Sequence, residues 1–320
     1  MKILVTGGSG FIGTRLVGEL LRAGHQVTIF DKAMSSKYPE YTVIGDVRDK
    51  NVLIKATASH DIIYQLAAEH ADDVRPISLY HDVNVGGAKN LIAAANNAGV
   101  NNIIFTSSNA VYPLNIIMPD EESEVAPFNK YGQSKLEAEK VFKEWALGDN
   151  DRSLIIIRPV VIFGEENRGN VYNLLLQIYT SRFVKVSPGH NKKSMGYVGN
   201  IASFLSFCLN LDKGFYIFNY ADKPDITMAE LVKITKTVLR KKANNRFYIP
   251  YPIALVGGYI FDLLAHISGK NFPISAIRIK KFCADTAVSA NRLLETGFKP
   301  PYSVRQALER TIKTEFMRDN

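Results

Sequence analysis

The chain of 320 residues contains only two cysteines, Cys208 and Cys283, and a single tryptophan. Two thiols supply neither a disulfide framework nor a four-thiolate zinc site, so a reducing cytoplasm is the expected compartment and no metal is expected. The opening stretch, Met1-Lys-Ile-Leu-Val-Thr-Gly-Gly8, runs from apolar residues directly into glycines without a secretory cleavage pattern. Internal repeats, low-complexity tracts and Gly/Ser linkers are all missing. With 46% hydrophobic and 22% charged residues, disordered, collagen-like and membrane-embedded classes fall away. The length suits one large domain with a smaller dependent one.

Acidic residues are scarce in one place. The formal net charge is +8, from 39 Lys and Arg against 31 Asp and Glu. Between Lys233 and Lys281 there are ten basic residues and one acid, Asp262. That segment alone carries +9, which leaves 8 − 9 = −1 for the rest, so an anionic partner belongs there. Inside it, Phe247-Tyr-Ile-Pro-Tyr-Pro-Ile253 leads into an apolar stretch, Ala254 to Ile267, interrupted only by Asp262 and His266. A helix over Ile253–Ile267 would be about 22 Å long, short of a ~30 Å hydrocarbon core, and a central Asp262 argues further against spanning. Two readings stay open. The helix could lie on an anionic membrane surface, with Tyr248, Tyr251 and Tyr259 at headgroup depth, or it could be a core helix of the smaller domain. Nucleic acid is a poor partner, because the cations are split by an apolar helix rather than interleaved with aromatic residues.

Short apolar runs at Ile3–Thr6, Val27–Asp31, Thr42–Ile44, Ile62–Leu66, Ile103–Thr106 and Leu154–Ile157 read as buried strands, with amphipathic stretches between them. That alternation predicts an α/β fold, a doubly wound parallel sheet of the Rossmann kind. The rhythm fades after Gly164, and the remainder reads as mostly helical apart from a run at Phe215–Phe218 that could return to the sheet edge. Residues 1–164 and 197–220 are therefore assigned to a dinucleotide-binding domain. Residues 165–196 and 221–320 are assigned to a substrate domain packed on the first and partly interleaved with it.

Gly7-Gly-Ser-Gly-Phe-Ile-Gly13 follows the first strand and opens a helix. Glycines there let the turn close and the backbone approach a pyrophosphate, while the helix N-terminus attracts negative charge. Asp31 ends the second strand, where a carboxylate can accept both ribose hydroxyls and repel a 2′-phosphate, which favours NAD over NADP; Lys32 beside it softens that exclusion. A solvated strand end is the plain alternative for Asp31. Asp46-Val47 after the third strand could hold an adenine amino group and cover the ring, or Asp46 could cap the next helix.

Tyr131-Gly-Gln-Ser-Lys135 opens the amphipathic stretch Tyr131–Trp145, and residues four apart share a helix face. A tyrosine is a poor base near neutrality, and lowering its pKa by ~3 units needs ~4 kcal/mol of preferential anion stabilisation. The Lys135 ammonium and a positive nicotinamide could supply it. Tyr131 could then take a proton from a sugar hydroxyl, with Lys135 also holding the nicotinamide ribose. Thr106-Ser-Ser-Asn-Ala-Val-Tyr112 ends the fifth strand, at the sheet edge where such folds place ligands, and Ser108 could donate a hydrogen bond to the reacting oxygen.

In this order the glycine turn, Asp31, the Ser-Ser strand end, Tyr-x-x-x-Lys and Arg158-Pro159 resemble the extended short-chain dehydrogenase/reductases, the NAD-dependent sugar epimerases and dehydratases, across nearly the whole chain. The resemblance implies Ser108, Tyr131 and Lys135 as the catalytic triad. It implies Gly7, Gly10, Phe11, Ile12, Gly13, Asp31, Lys32, Asp46, Val47, Leu66, Ala67, Ala68 and Pro159 near the cofactor, together with Tyr131 and Lys135. The family's dehydratases carry an acid one or two positions after the catalytic hydroxyl; here Asn109 and Ala110 stand there, which disfavours dehydration. Redox-neutral 4-epimerisation and reduction of a 4-keto sugar remain, and Asp31 leans toward the first.

Lys193-Ser-Met-Gly-Tyr-Val-Gly-Asn200 has a lysine and an asparagine where the typical epimerases have an arginine and an aspartate, which puts standard uridine-diphosphate recognition in doubt. With Leu66-Ala-Ala-Glu-His70, Asn167–Leu174, Asn219–Pro224 and Arg278–Cys283, it looks most like a bacterial subgroup of 4-epimerases acting on N-acetylglucosaminyl-diphospho-undecaprenol. That likeness implies a place in O-antigen and lipopolysaccharide precursor synthesis, peripheral on the inner face of the membrane. UDP-sugar 4-epimerase and ketosugar reductase are the rivals. His70, Ser108, Asn109, Arg168, Asn170, Lys193 and Arg278 are the candidate substrate contacts, though Arg168 and Arg278 could be ordinary structural arginines. A homodimer is compatible with the pattern.

Overall fold

The computed structural model describes residues 1–71, 74–114, 116–242, 248–268 and 275–317, the Lys281 side chain excepted. Among the described residues there are ten strands: β1 (Lys2–Thr6), β2 (Gln26–Asp31), β3 (Thr42–Ile44), β4 (Ile62–Gln65), β5 (Asn102–Thr106), β6 (Ser153–Pro159), β7 (Val161–Phe163), β8 (Lys192–Tyr197), β9 (Phe215–Tyr220) and β10 (Asp222–Thr227). The helices are α1 (Phe11–Arg22), α2 (Lys50–Thr57), α3 (Ser78–Tyr80), α4 (Gly87–Ala98), α5 (Lys130–Leu147), α6 (Asn170–Tyr179), α7 (Val198–Phe207), α8 (Met228–Val238), α9 (Tyr251–Ser268), α10 (Ala276–Cys283), α11 (Asn291–Glu295) and α12 (Val304–Phe316).

Seven strands form one parallel sheet in the order β3-β2-β1-β4-β5-β6-β9. Its central strands are buried on both faces, which is why Ile3–Val5 and Leu154–Ile157 are continuous apolar runs rather than alternating ones. One core layer joins β1, β2 and β4 to Leu16, Leu20, Ile201 and Phe204 of α1 and α7. The other joins the opposite face to Leu53, Leu91, Ala138 and Phe142 of α2, α4 and α5. Strand order reverses between β1 and β4, and that reversal opens a crevice at the carboxyl ends of the strands.

The chain divides into two units interleaved in sequence, Met1–Ile162 with Gly196–Asp222 and Val288–Tyr302, and Phe163–Met195 with Lys223–Ala287 and Ser303–Asn320. One segment differs from expectation. Val288–Tyr302 was assigned with the substrate domain, but Val288, Ala290, Leu293 and Phe298 are buried in the core layer of the large sheet and bring that segment into the first unit. The region after Gly164 is also less purely helical than its composition suggests, since β8 and β10 are neighbours in a small second sheet. Of the basic segment, Arg246, Phe247 and Lys270 lie outside the described residues. Helix α9 starts at Tyr251 and ends at Ser268, longer at both ends than the expected Ile253–Ile267.

Candidate active site

At the end of β1 the chain turns through Gly7, whose φ of +72° favours glycine. A Cβ there would lie 2.6 Å from the Ala67 backbone nitrogen, and one on Gly13 would lie 2.3 Å from the Gly7 carbonyl oxygen. Neither position has room for a side chain, because the turn after β1, the loop after β4 and the first turn of α1 meet there. Gly10 caps α1, and Phe11 and Ile12 open it, half-buried. Asp31, half-buried at the end of β2, accepts the Ser9 N–H at 3.0 Å and the Ala33 N–H at 3.1 Å. It is therefore a brace for the glycine turn rather than a solvated strand end, and its oxygens keep lone pairs for further donors. Lys32 beside it is exposed.

On the far side of the crevice, Leu66 donates to the Thr6 carbonyl at 3.1 Å, and Ala67 lies against Gly7, with Ala68 following. Pro159 ends β6, buried. The Thr106 hydroxyl, buried at the end of β5, has no hydrogen-bond partner. A cradle that any Cβ would fill, a carboxylate at the next strand end and an unpartnered buried hydroxyl together fit a dinucleotide. Gly7 to Gly13 would hold the pyrophosphate and Asp31 the adenosine ribose.

Asp46 and Val47 follow β3, at the strand-end edge. The Asp46 carboxylate is gripped by Arg48, Nη2 to Oδ2 at 2.6 Å, and that guanidinium holds its carboxyl below the usual range. Asp49, not Asp46, caps α2 by accepting the Asn51 and Val52 N–H groups. Val47 is buried in the core against Gly87.

The catalytic candidates do converge. Ser107 and Ser108 follow β5, both buried. The Ser108 hydroxyl accepts the Ala110 N–H at 3.1 Å, capping a short turn that begins at half-buried Asn109, and is hydrogen-bonded to the Tyr131 phenol. What lets α5 start so close to this turn is Gly132, where a Cβ would lie 2.2 Å from the Ala110 carbonyl oxygen. Asn129 fixes the start of the helix by accepting the Gly132 N–H at 2.7 Å. One turn further along, Lys135 is buried, donates from Nζ to the Thr106 carbonyl at 2.6 Å and sits 4.4 Å over the Phe105 ring. Burial pushes its pKa down to about 7, with the Glu139 charge opposing.

Burial pushes the Tyr131 pKa up, opposed by the Ser108 hydrogen bond, and Tyr80 adds to the rise. The Lys135 ammonium is directed at the Thr106 carbonyl.

Three supports had no sequence signal. Glu139 accepts from Arg158 Nε at 3.0 Å and Nη2 at 2.7 Å and from Ser107 Oγ at 2.5 Å, while Arg158 Nη1 reaches the Tyr112 hydroxyl at 2.9 Å. All are buried, and together they lock the end of β5 to α5. Asn84, in a π-helical turn over His81–Gly86, donates to Ser134 Oγ at 2.8 Å and binds Glu69 through N–H and carbonyl, which ties the loop after β4 to α5. Arg75 lines, with Tyr131, Tyr80, Val74, Ile77, Asn129 and Lys130, a cavity of about 230 Å³. His70 is exposed, and its N–H donates to Glu69.

The remaining candidates belong to the second unit. Arg168 is paired with Glu315 at 2.6 Å and stacked 4.2 Å over Tyr172, so its guanidinium is engaged. Asn170 opens α6. Lys193 donates to the Ala284 carbonyl at 2.6 Å, and burial pushes its pKa down to about 8. Arg278, exposed in the first turn of α10, donates its N–H to Ser275, the cap of that helix.

Comparison with known proteins agrees with this geometry. The model of the NAD dependent epimerase/dehydratase family matches residues 3–219. The N-acetyl-alpha-D-glucosaminyl-diphospho-ditrans,octacis-undecaprenol 4-epimerase of Escherichia coli O157:H7 is 50% identical over 318 residues, 99% of this chain and 96% of that protein. The 2-alkyl-3-oxoalkanoate reductase of Stenotrophomonas maltophilia (strain K279a) is 33% identical over 97% of this chain and 98% of its own length. Among solved structures, the UDP-N-acetylglucosamine 4-epimerase from Bacillus cereus shares the fold with a TM-score of 0.78 and 19% identity, each chain covered completely. The chain belongs to the NAD dependent epimerase/dehydratase family.

Proposed function

We propose that this protein is a 4-epimerase that interconverts N-acetylglucosamine and N-acetylgalactosamine carried on diphospho-undecaprenol, through a transient 4-keto sugar. The observation that carries the reading is half-identity, almost end to end, with a relative of that activity. NAD, held by the Gly7–Gly13 turn and Asp31, would supply a reversible hydride acceptor for C4. Tyr131 takes the proton of the 4-hydroxyl and later gives it back, and Ser108, hydrogen-bonded to it, donates to the same oxygen. Lys135 stabilises the Tyr131 phenolate that accepts this proton. Asn109 and Ala110 after Ser108 offer no carboxyl to expel water, which favours epimerisation over dehydration. In this reading the first unit binds NAD, and Lys193 and Arg278 of the second grip the diphosphate, with Arg168 held in reserve by Glu315. Such an enzyme would work at the inner face of the cytoplasmic membrane on precursors of surface polysaccharide.

The test is incubation of purified protein, without added reductant, with GlcNAc-diphospho-polyprenol beside UDP-GlcNAc, followed by hydrolysis and identification of the sugars. GalNAc from the lipid-linked substrate alone is expected. Conversion of the nucleotide sugar alone would overturn the substrate class, and conversion of neither would overturn epimerisation.

A further inference from the structure

Helix α9 is the least buried apolar element among the described residues. Its 18 residues have a mean hydropathy of 1.3, yet only 11% of them are buried. Ile253, Val256, Ile260, Leu263 and Ile267 are each more than half exposed, and Leu264 is nearly so. At about 100° per residue these six fall within roughly 100° of arc on one side of the helix. The opposite side is used: Ala254 and Gly258 are buried, a Cβ on Gly258 would lie 2.8 Å from the Ala276 backbone, and Asp262 Oδ2 accepts the Ala276 N–H at 3.1 Å. The single acid of the helix is thus turned toward α10 and leaves the exposed arc uncharged. A core helix would bury that arc, and this one does not.

We infer that α9 and α10 form a docking surface for an anionic lipid bilayer, with α9 lying in the plane of the interface and its Ile253–Ile267 arc turned toward the acyl chains. Two observations select lipid over protein as the occupant. The first is charge: Lys280 of α10 is exposed, and its Nζ stands 5.4 Å over the exposed ring of Tyr259 on α9, an amphipathic pair suited to headgroup depth. The second is the cost of self-pairing, since α9 and α10 together carry three cations, Arg278, Lys280 and Lys281, against one acid, Asp262, and two copies meeting there would set like charges together. In-plane rather than spanning geometry follows from α10, which is packed along α9 and carries these cations, so that α9 cannot cross a membrane without drawing them into it. Docking of this kind deepens the lipid-linked reading and rests on it for its use, bringing the enzyme to the leaflet that holds its substrate.

The experiment is co-sedimentation of the full chain with vesicles of phosphatidylglycerol and phosphatidylethanolamine, beside vesicles of phosphatidylcholine alone. Wild type is expected to bind the anionic vesicles, more weakly as salt rises. Ile260→Glu/Leu263→Glu, which alters two mostly exposed side chains, should keep the wild-type melting temperature and bind at least tenfold more weakly. Lys280→Glu, at an exposed site, should weaken binding to the anionic vesicles only. Wild type that stays in the supernatant, a double variant that binds like wild type, or a wild-type dimer that the double variant splits while neither sediments would each overturn the proposal. Turnover of a water-soluble, short-chain diphospho-GlcNAc in the same preparations reports on the sugar chemistry separately. It should be unchanged in the double variant, and its absence in wild type would sink the substrate reading while the vesicle result stands.

Discussion

Replacing Lys135 by methionine should abolish activity and make the protein more stable at neutral pH. The side chain is 2% exposed, and burial lowers its pKa from 10.5 to about 7. Between those values the unfolded chain binds a proton that the native state does not, so stability rises with pH across that window. At 1.36 kcal/mol per unit, the cost to folding is about 4 kcal/mol at pH 7 and about 2 kcal/mol at pH 9. Methionine fills similar space without that cost, but leaves the Thr106 carbonyl without its 2.6 Å donor, a loss of about 1–3 kcal/mol. A net gain of about 1–3 kcal/mol at pH 7 remains. Urea denaturation of both proteins at pH 7 and pH 9, at equal NAD content, separates this lysine from Lys193, whose pKa of about 8 contributes equally to both. Wild type should gain about 2 kcal/mol more than Lys135→Met between the two pH values. Equal slopes would refute the claim that Lys135 is held half-neutral by burial.

Tyr131→Phe removes one hydroxyl and little packing, so it should fold, retain NAD and lose activity by about 100-fold or more; wild-type turnover would remove Tyr131 from proton transfer. Gly7→Ala places a Cβ 2.6 Å from the Ala67 nitrogen at a positive φ, and should weaken NAD retention at least ~10-fold and lower the melting temperature. Unaltered cofactor content on gel filtration would contradict the cradle. Asp222, buried with three donors and no cation, has its pKa raised by burial to about 6. The native state therefore holds that proton more tightly than the unfolded chain, and stability falls as pH rises from about 4 through 6. Asp222→Asn should remove about 1 kcal/mol of the fall between pH 5 and pH 7, and a pH–stability curve parallel to wild type would rule this out.

The large sheet was legible because each central strand is buried on both faces and spells its burial as an unbroken apolar run. The glycine turn and the Tyr131–Lys135 pair were legible because contiguous residues carry them. What the sequence hid depends on distant partners. Nothing near Gly132 says that it faces the Ala110 carbonyl, nor near Asn84 that it reaches Ser134. Strands β8 and β10 are rich in Lys, Asp and Pro, so they lack the apolar signature of the buried sheet. The Ala254–Ile267 stretch reads alike for a core helix and a surface helix, and exposure alone separates them.

The pKa shifts of Tyr131 and Lys135 have one common cause, burial at the end of β5. Glu139 and Arg158 neutralise each other through two hydrogen bonds in the same buried network, which leaves Lys135 as an ammonium whose burial is only partly offset. A lone buried cation gains most from a new anion beside it, and residues four apart on a helix share a face. A phenolate on Tyr131 would therefore favour the charged form of Lys135, and a charged Lys135 would ease loss of the tyrosine proton. A tyrosine raised by burial and a lysine lowered by burial are the two halves of that pair before the proton moves. The low-dielectric end of β5 makes each ion costly alone, so in the proposed reaction a phenolate beside the Lys135 ammonium is ready to accept the sugar hydroxyl's proton, and that transfer returns Tyr131 to its neutral form.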